Sequence, residues 1–118
     1  MKAVIGVILF LALAAMMISP AYAPPPPSPP PLWSDPVTTL SIALSANGQY
    51  VVVGTPTGVR FYGRSSSTPL WTSANATAFF SVAISADGSY VAASSLGRVY
   101  FYANAKALTG NATATWRP

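Results

Sequence analysis

Two stretches of this chain, forty residues apart, read almost alike: SIALSANGQYV at 41–51 and SVAISADGSYV at 81–91. Six of the first ten positions are identical, and Ile42/Val82, Leu44/Ile84 and Asn47/Asp87 are conservative pairs. The register holds through GVRFY at 58–62 and RVYFY at 98–102, so both Phe-Tyr pairs keep the forty-residue spacing. Pro31-Leu32-Trp33 is echoed by Pro69-Leu70-Trp71 at a spacing of 38. A period near forty belongs to architectures that stack one supersecondary unit on the next, because a single unit cannot bury its apolar face alone.

Each unit predicts four short strands. The first, TTLSIALS or AFFSVAIS, alternates strictly, with Ile42 and Leu44 (or Val82 and Ile84) on one face and small residues on the other. Ala-Asn-Gly and Ala-Asp-Gly then supply the turn, with Asn47, Gly48, Asp87 and Gly88 as the turn residues, since glycine tolerates positive φ and Asn or Asp is at home beside it. The second strand, YVVVGT or YVAASS, is apolar on both faces, as expected inside a stack. The third, VRFYGR or RVYFYA, is rich in aromatic and β-branched residues. A fourth begins at Leu70-Trp71, with counterparts at Leu32-Trp33 and Thr115-Trp116. Helix signals are confined to the N-terminus. The fold class is all-β: two four-stranded antiparallel units.

The N-terminus reads as a secretory signal peptide over 1–23. Met1-Lys2 is a basic start, an apolar run follows to Met17, Pro20 breaks the helix, and Ala21-Tyr22-Ala23 offers a small-x-small cleavage site. The competing reading is a retained membrane anchor, and this segment is the one expected membrane contact. Residues 24–31, PPPPSPPP, read as a stiff polyproline spacer. The remaining 32–118 form one small body with repeats at about 33–70 and 71–116. An exported chain without Cys draws its stability from packing alone.

Composition narrows the chemistry. The chain has no His, no Cys and no Glu, and its acids are Asp35 and Asp87. A Ser-His-Asp triad, a cysteine nucleophile and a thiolate or imidazole metal site are therefore excluded within one chain. Asp87 interchanges with Asn47 and so reads as a turn former, while Asp35 precedes Pro36 in a loop pair; no enzyme and no cofactor are expected. The basic residues beyond Lys2 (Arg60, Arg64, Arg98, Lys106 and Arg117) are scattered, unlike the concentrated patch of a nucleic-acid reader. A charged fraction of 7% makes a weakly self-repelling surface that favours association or glycan coating.

The run Ser-(Ile/Val)-Ala-(Leu/Ile)-Ser-Ala-(Asn/Asp)-Gly-x-Tyr-Val, followed by a Gly-bearing turn and an aromatic strand, resembles a β-propeller blade. It is similar to the WD-repeat-like and pyrroloquinoline-quinone-type blades of exported prokaryotic proteins, over about residues 32–116. The resemblance implies a partial propeller of two blades. It carries no activity over, because the Gly-His and Trp-Asp signatures of WD repeats and the cofactor contacts of quinone dehydrogenases are missing.

Trp33, Phe61, Trp71 and Phe101 recur with the repeat and read as aromatics packed between blades rather than as a sugar-stacking platform. Asn75-Ala76-Thr77 and Asn111-Ala112-Thr113 are N-glycosylation triplets, which makes Asn75 and Asn111 candidate modification sites. Propellers close with typically four to eight blades, and two leave outer faces open. The sequence therefore points to a secreted, non-catalytic propeller-repeat module for protein interaction or assembly at the cell surface. Its expected partners are other copies of itself (trimer, tetramer or polymer) or a larger propeller or surface protein. The alternatives are a ligand- or glycan-binding propeller, a truncated fragment of a larger propeller protein, and, third, a quinone-dehydrogenase-like fragment.

Overall fold

The computed structural model describes residues 23–117. The signal peptide expected over 1–23 lies, apart from Ala23, outside the described residues. Residues 24–30 are exposed and carry neither helix nor strand. The body is all-β, as the alternation predicts. Its strands are β1 (Ser41–Leu44), β2 (Tyr50–Thr55), β3 (Gly58–Gly63), β4 (Trp71–Ser73), β5 (Ser81–Ile84), β6 (Tyr90–Ser95), β7 (Arg98–Ala103) and β8 (Gly110–Ala112).

The repeat register is the pairing register. Ser41 faces Gly54 and Leu44 faces Val51 across β1–β2, and Ser81 faces Ser94 and Ile84 faces Val91 across β5–β6. Tyr50–Thr55 then pairs with Gly58–Gly63 as Tyr90–Ser95 pairs with Arg98–Ala103. Residue by residue, each pairing is forty positions from its copy.

The sheets themselves differ from the expected pair of four-stranded antiparallel units. One is five-stranded and mixed, in the order β1-β2-β3-β4-β8; the other is three-stranded, β5-β6-β7. The cause is the route taken after β7. The chain makes a 3-10 turn at Ala105–Ala107, whose buried Ala105 accepts the Trp71 indole N–H at 2.8 Å. It then runs alongside β4 as the parallel strand β8, with Trp71 beside Gly110 and Ser73 beside Ala112. Thr115-Trp116 then returns to the second sheet, where Trp116 makes an isolated bridge to Phe101. That bridge sits where the Phe61–Trp71 pair of β3 and β4 sits in the first sheet. The first strands are also shorter than the eight residues read from the alternation. Phe79 falls outside β5 and is fully buried, edge-on to Tyr100 at 5.2 Å, while Phe80 is exposed.

Both Gly48 (φ 69°) and Gly88 (φ 80°) hold the positive φ expected of the two turns. Their surroundings are unlike. A Cβ at Gly48 meets nothing within 4 Å, whereas one at Gly88 would run into the Tyr50 ring of the neighbouring sheet. Gly48→Val is expected to cost about 1–2 kcal/mol through backbone strain. Gly88→Val adds overpacking, about 1–3 kcal/mol more. Urea titrations of both variants at low protein concentration check the difference; equal losses would mean that the Tyr50 ring does not rest on Gly88.

The core lies between the sheets. Ala43, Tyr50, Val52, Val59, Phe61 and Trp71 of the first unit meet Val82, Ile84, Val91, Ala93, Tyr100 and Tyr102 of the second, with Phe79 among them. Small residues on β1 let β5 approach closely, and the seam carries its own hydrogen bonds. Val82 N–H donates to Ser41 Oγ (3.2 Å), Asn47 N–H to Ala86 O (3.1 Å) and Phe79 N–H to Thr55 O (3.0 Å).

Candidate functional site

The two turns are chemically equivalent. Asn47 Oδ1 accepts from the Ser45 hydroxyl (2.7 Å) and Gln49 N–H (3.1 Å). Asp87 Oδ1 accepts from the Ser85 hydroxyl (3.1 Å) and Ser89 N–H (3.0 Å), while Oδ2 takes the Ser89 hydroxyl (2.7 Å). The two Ser89 bonds, with a smaller contribution from Ser85 and from Lys106 at 3.5 Å, hold the Asp87 carboxyl well below the usual carboxylate range. Its polar atoms are committed to the turn.

Asp35 has a role that its neighbours in the sequence do not announce. Its Oδ2 accepts from the Tyr62 hydroxyl at 2.6 Å and pairs with Arg60 at 3.2 Å. Trp33 stacks on the Tyr62 ring at 5.2 Å and donates its indole N–H to Arg64 O at 2.8 Å. The segment leading into β1 is thereby fixed over part of the outer face of the first sheet. Trp71 stands in the same relation to Tyr102, with ring centres 4.9 Å apart. The two tryptophans thus match in their ring contacts, although Leu32-Trp33 forms no strand where a counterpart of β4 was expected.

Two tyrosines are electrostatically marked. Burial, and then the bond to the Asp35 carboxylate, pushes the Tyr62 hydroxyl up to about 12; burial pushes that of Tyr102 to about 12 as well. Tyr102 Oη lies near Ser73 yet completes no hydrogen bond among the described residues. Both hydroxyls ionise more readily in the unfolded chain. Stability is therefore unaffected by their ionisation below pH 10 and falls as the pH rises from there through about 12. Tyr102→Phe is expected to stabilise by about 1 kcal/mol, because it removes an unsatisfied buried hydroxyl, and Tyr62→Phe to cost about 1–2 kcal/mol with its charge-assisted bond. Denaturant titrations on either side of pH 10, beside phenolate absorbance, check both signs.

The candidate aromatics divide by location. Phe61 and Trp71 are buried in the seam and stacked on one another at 5.2 Å, and Trp33 caps Tyr62. Phe101 lies on the outer face of the second sheet, stacked with Tyr90 at 5.7 Å. Asn75 follows β4 in a half-buried position. Asn111 lies within β8 rather than in a loop, exposed, its Oδ1 accepting from Thr72 Oγ1 at 3.1 Å.

What stands out on the surface is the outer side of each sheet. Ile42 and Leu44 are 65% and 62% exposed on the first, whereas their copies Val82 and Ile84 are in the seam. Beside Leu44 lies an apolar depression lined by Leu32, Trp33, Leu44, Gly48, Val51 and Arg64. On the second sheet Tyr90 (51%) and Val99 (45%) stand exposed around Ala83 and Ala92. No run in the sequence says which copy of the pattern faces outward.

Among the described residues no group of three His, Cys, Asp or Glu is placed to hold a metal ion. The sequence matches no protein-family model and no curated protein.

Proposed function

We propose that this chain is an exported, non-catalytic β-propeller-type repeat module that acts in protein interaction or assembly at the cell surface. In this reading β1–β4 form one blade, and β5–β7 with Trp116 form a second whose fourth strand is reduced to one bridge. The pairing of Phe61 with Trp71 and of Phe101 with Trp116 supports the blade assignment. The ordered signal zones of the N-terminus support export, and a non-catalytic role is consistent with two acids engaged in a turn and in an anchoring ion pair.

The observation that carries the reading is the pair of open sheet faces, each presenting apolar side chains that the other unit buries. Contiguous exposed apolar surface on a folded chain marks contact with another protein. Sedimentation and bis-ANS fluorescence on the folded protein at micromolar concentration test it. The expected result is either association, or a monomer whose dye uptake falls on Leu44→Asp. A sharply melting monomer that takes up no dye would overturn the proposal.

A further inference from the structure

The seam inside the chain has its two halves repeated, unjoined, on the outside. Within the chain the Tyr50 ring lies against buried Gly88 and stacks on Phe61 at 5.3 Å and 26°. Forty residues on, Tyr90 stacks on Phe101 in the same way, at 5.7 Å and 16°, but projects from an open face. Forty residues before Gly88, Gly48 borders the apolar depression, with open space where its side chain would begin. The lining residues Trp33, Leu44 and Val51 are the copies of Trp71, Ile84 and Val91, which share the core cluster with Tyr50. Ring and seat are therefore each present twice, once together and once apart. Resting on the interaction reading above, we infer that the partner is a second copy of this chain, docked head to tail, with Tyr90 of one copy seated over Gly48 of the next.

The small residues of the second sheet fit this pairing. Ser81 and Ala83 present the small surface that Ser41 and Ala43 present inside the seam, and Ser81 carries the hydroxyl with which Ser41 accepts the Val82 N–H. On the mating side Ile42 and Leu44 replace Val82 and Ile84. Within the seam Val82 Cγ1 lies over Gly54, so on the outer faces the larger Ile42 meets Ser94, and the joint must open at that point relative to the seam. Two places depart from the template: Ser94 replaces Gly54 with Thr39 where Phe79 anchors the seam, and the Phe101 edge that matches the Phe61–Trp71 pair is already taken by Trp116. The joint is accordingly weaker than the seam. Because the two faces differ, contacts are heterologous and either close into a ring or continue as a stack.

Size-exclusion chromatography with light scattering on the protein recovered from secreting cells tests this. Tyr90→Ser removes the ring. Gly48→Asn fills the seat with a residue that tolerates positive φ, and Leu44→Asp is a second socket variant. Circular dichroism establishes that each is folded. The wild type is expected to form species larger than a dimer at micromolar concentration, and each variant to lose about tenfold or more in association. An equimolar mixture of Tyr90→Ser and Gly48→Asn should give a discrete dimer, since one intact ring and one intact seat remain between them. A folded variant that assembles like the wild type, or one that forms a homodimer, would overturn the head-to-tail joint. So would a wild-type monomer; if that monomer takes up bis-ANS the interaction reading survives, and if it does not, both fall.

Discussion

Trp71→Ala is expected to lower stability by about 3–5 kcal/mol, a large part of what a domain of this size possesses. Trp71 is 1% exposed and lies between Phe61 and Tyr102, at 5.2 and 4.9 Å, so its removal opens a cavity in the middle of the seam. The same residue pairs with Phe61 in β3, lies beside Gly110 in β8, and donates its indole N–H to Ala105 O. Alanine keeps the strand pairings and loses the rest. Trp71→Phe retains most of the stacking and gives up the 2.8 Å bond, so it should recover more than half of the loss. Trp33→Ala, at a half-buried position that touches one ring, should cost less than Trp71→Ala. Thermal melts followed by circular dichroism rank the three; a Trp71→Ala protein melting like the wild type would mean that the sheets do not meet at this residue.

Gly54→Ala is the second large effect, about 3 kcal/mol or more, and it arises from backbone rather than from a cavity. A Cβ at Gly54 would sit 2.5 Å from the carbonyl oxygen of Phe79 and 3.3 Å from Val82 Cγ1. Phe79 cannot retreat easily, because its ring is fully buried and its N–H is bonded to Thr55 O. The sheets must separate to admit one methyl group, and overpacking of this kind is strongly unfavourable when the obstacle is main chain. The copy position supplies the control. Ser94 already bears a side chain on an open face, and Ser94→Gly should cost only about 0.5–1 kcal/mol, the ordinary penalty of glycine in a strand. Denaturant midpoints of the two variants separate the cases, and a harmless Gly54→Ala would place the close approach elsewhere.

Much of the framework could be read from the residues. The forty-residue register became the strand register, both turns took positive φ at the expected glycines, and a fourth strand formed at Trp71. Phe79 and Phe80 went against the reading because strict alternation was extended past Ser81, where the strand in fact begins. Nothing in Gly110-Asn111-Ala112 favours a strand locally; β8 exists because the chain passes the free edge of β4 on its way from Ala105 to Trp116. The Asp35–Tyr62 bond joins residues 27 apart and leaves no local trace. Nor does a repeated pattern reveal which of its copies remains uncovered. Ile42 and Val82 are equivalent as letters, and only the order of stacking separates them.

The parallel strand β8 also governs how the molecule comes apart. Repeats that touch only their neighbours can unravel one after another, since each interface opens independently. Here residues 110–112 leave the second unit and complete the edge of the first, and Ala74 N–H closes on Ala112 O at 2.8 Å. The first unit cannot lose that edge without releasing the tail of the second, and the second cannot peel away without stripping β4. The clasp couples the two similar modules, so the body is expected to melt in a single transition. Its folding waits on a contact between segments some forty residues apart, and nonlocal closure of this kind slows folding. The molecule thus exchanges the stepwise resilience of a repeat array for the all-or-none behaviour of a small domain.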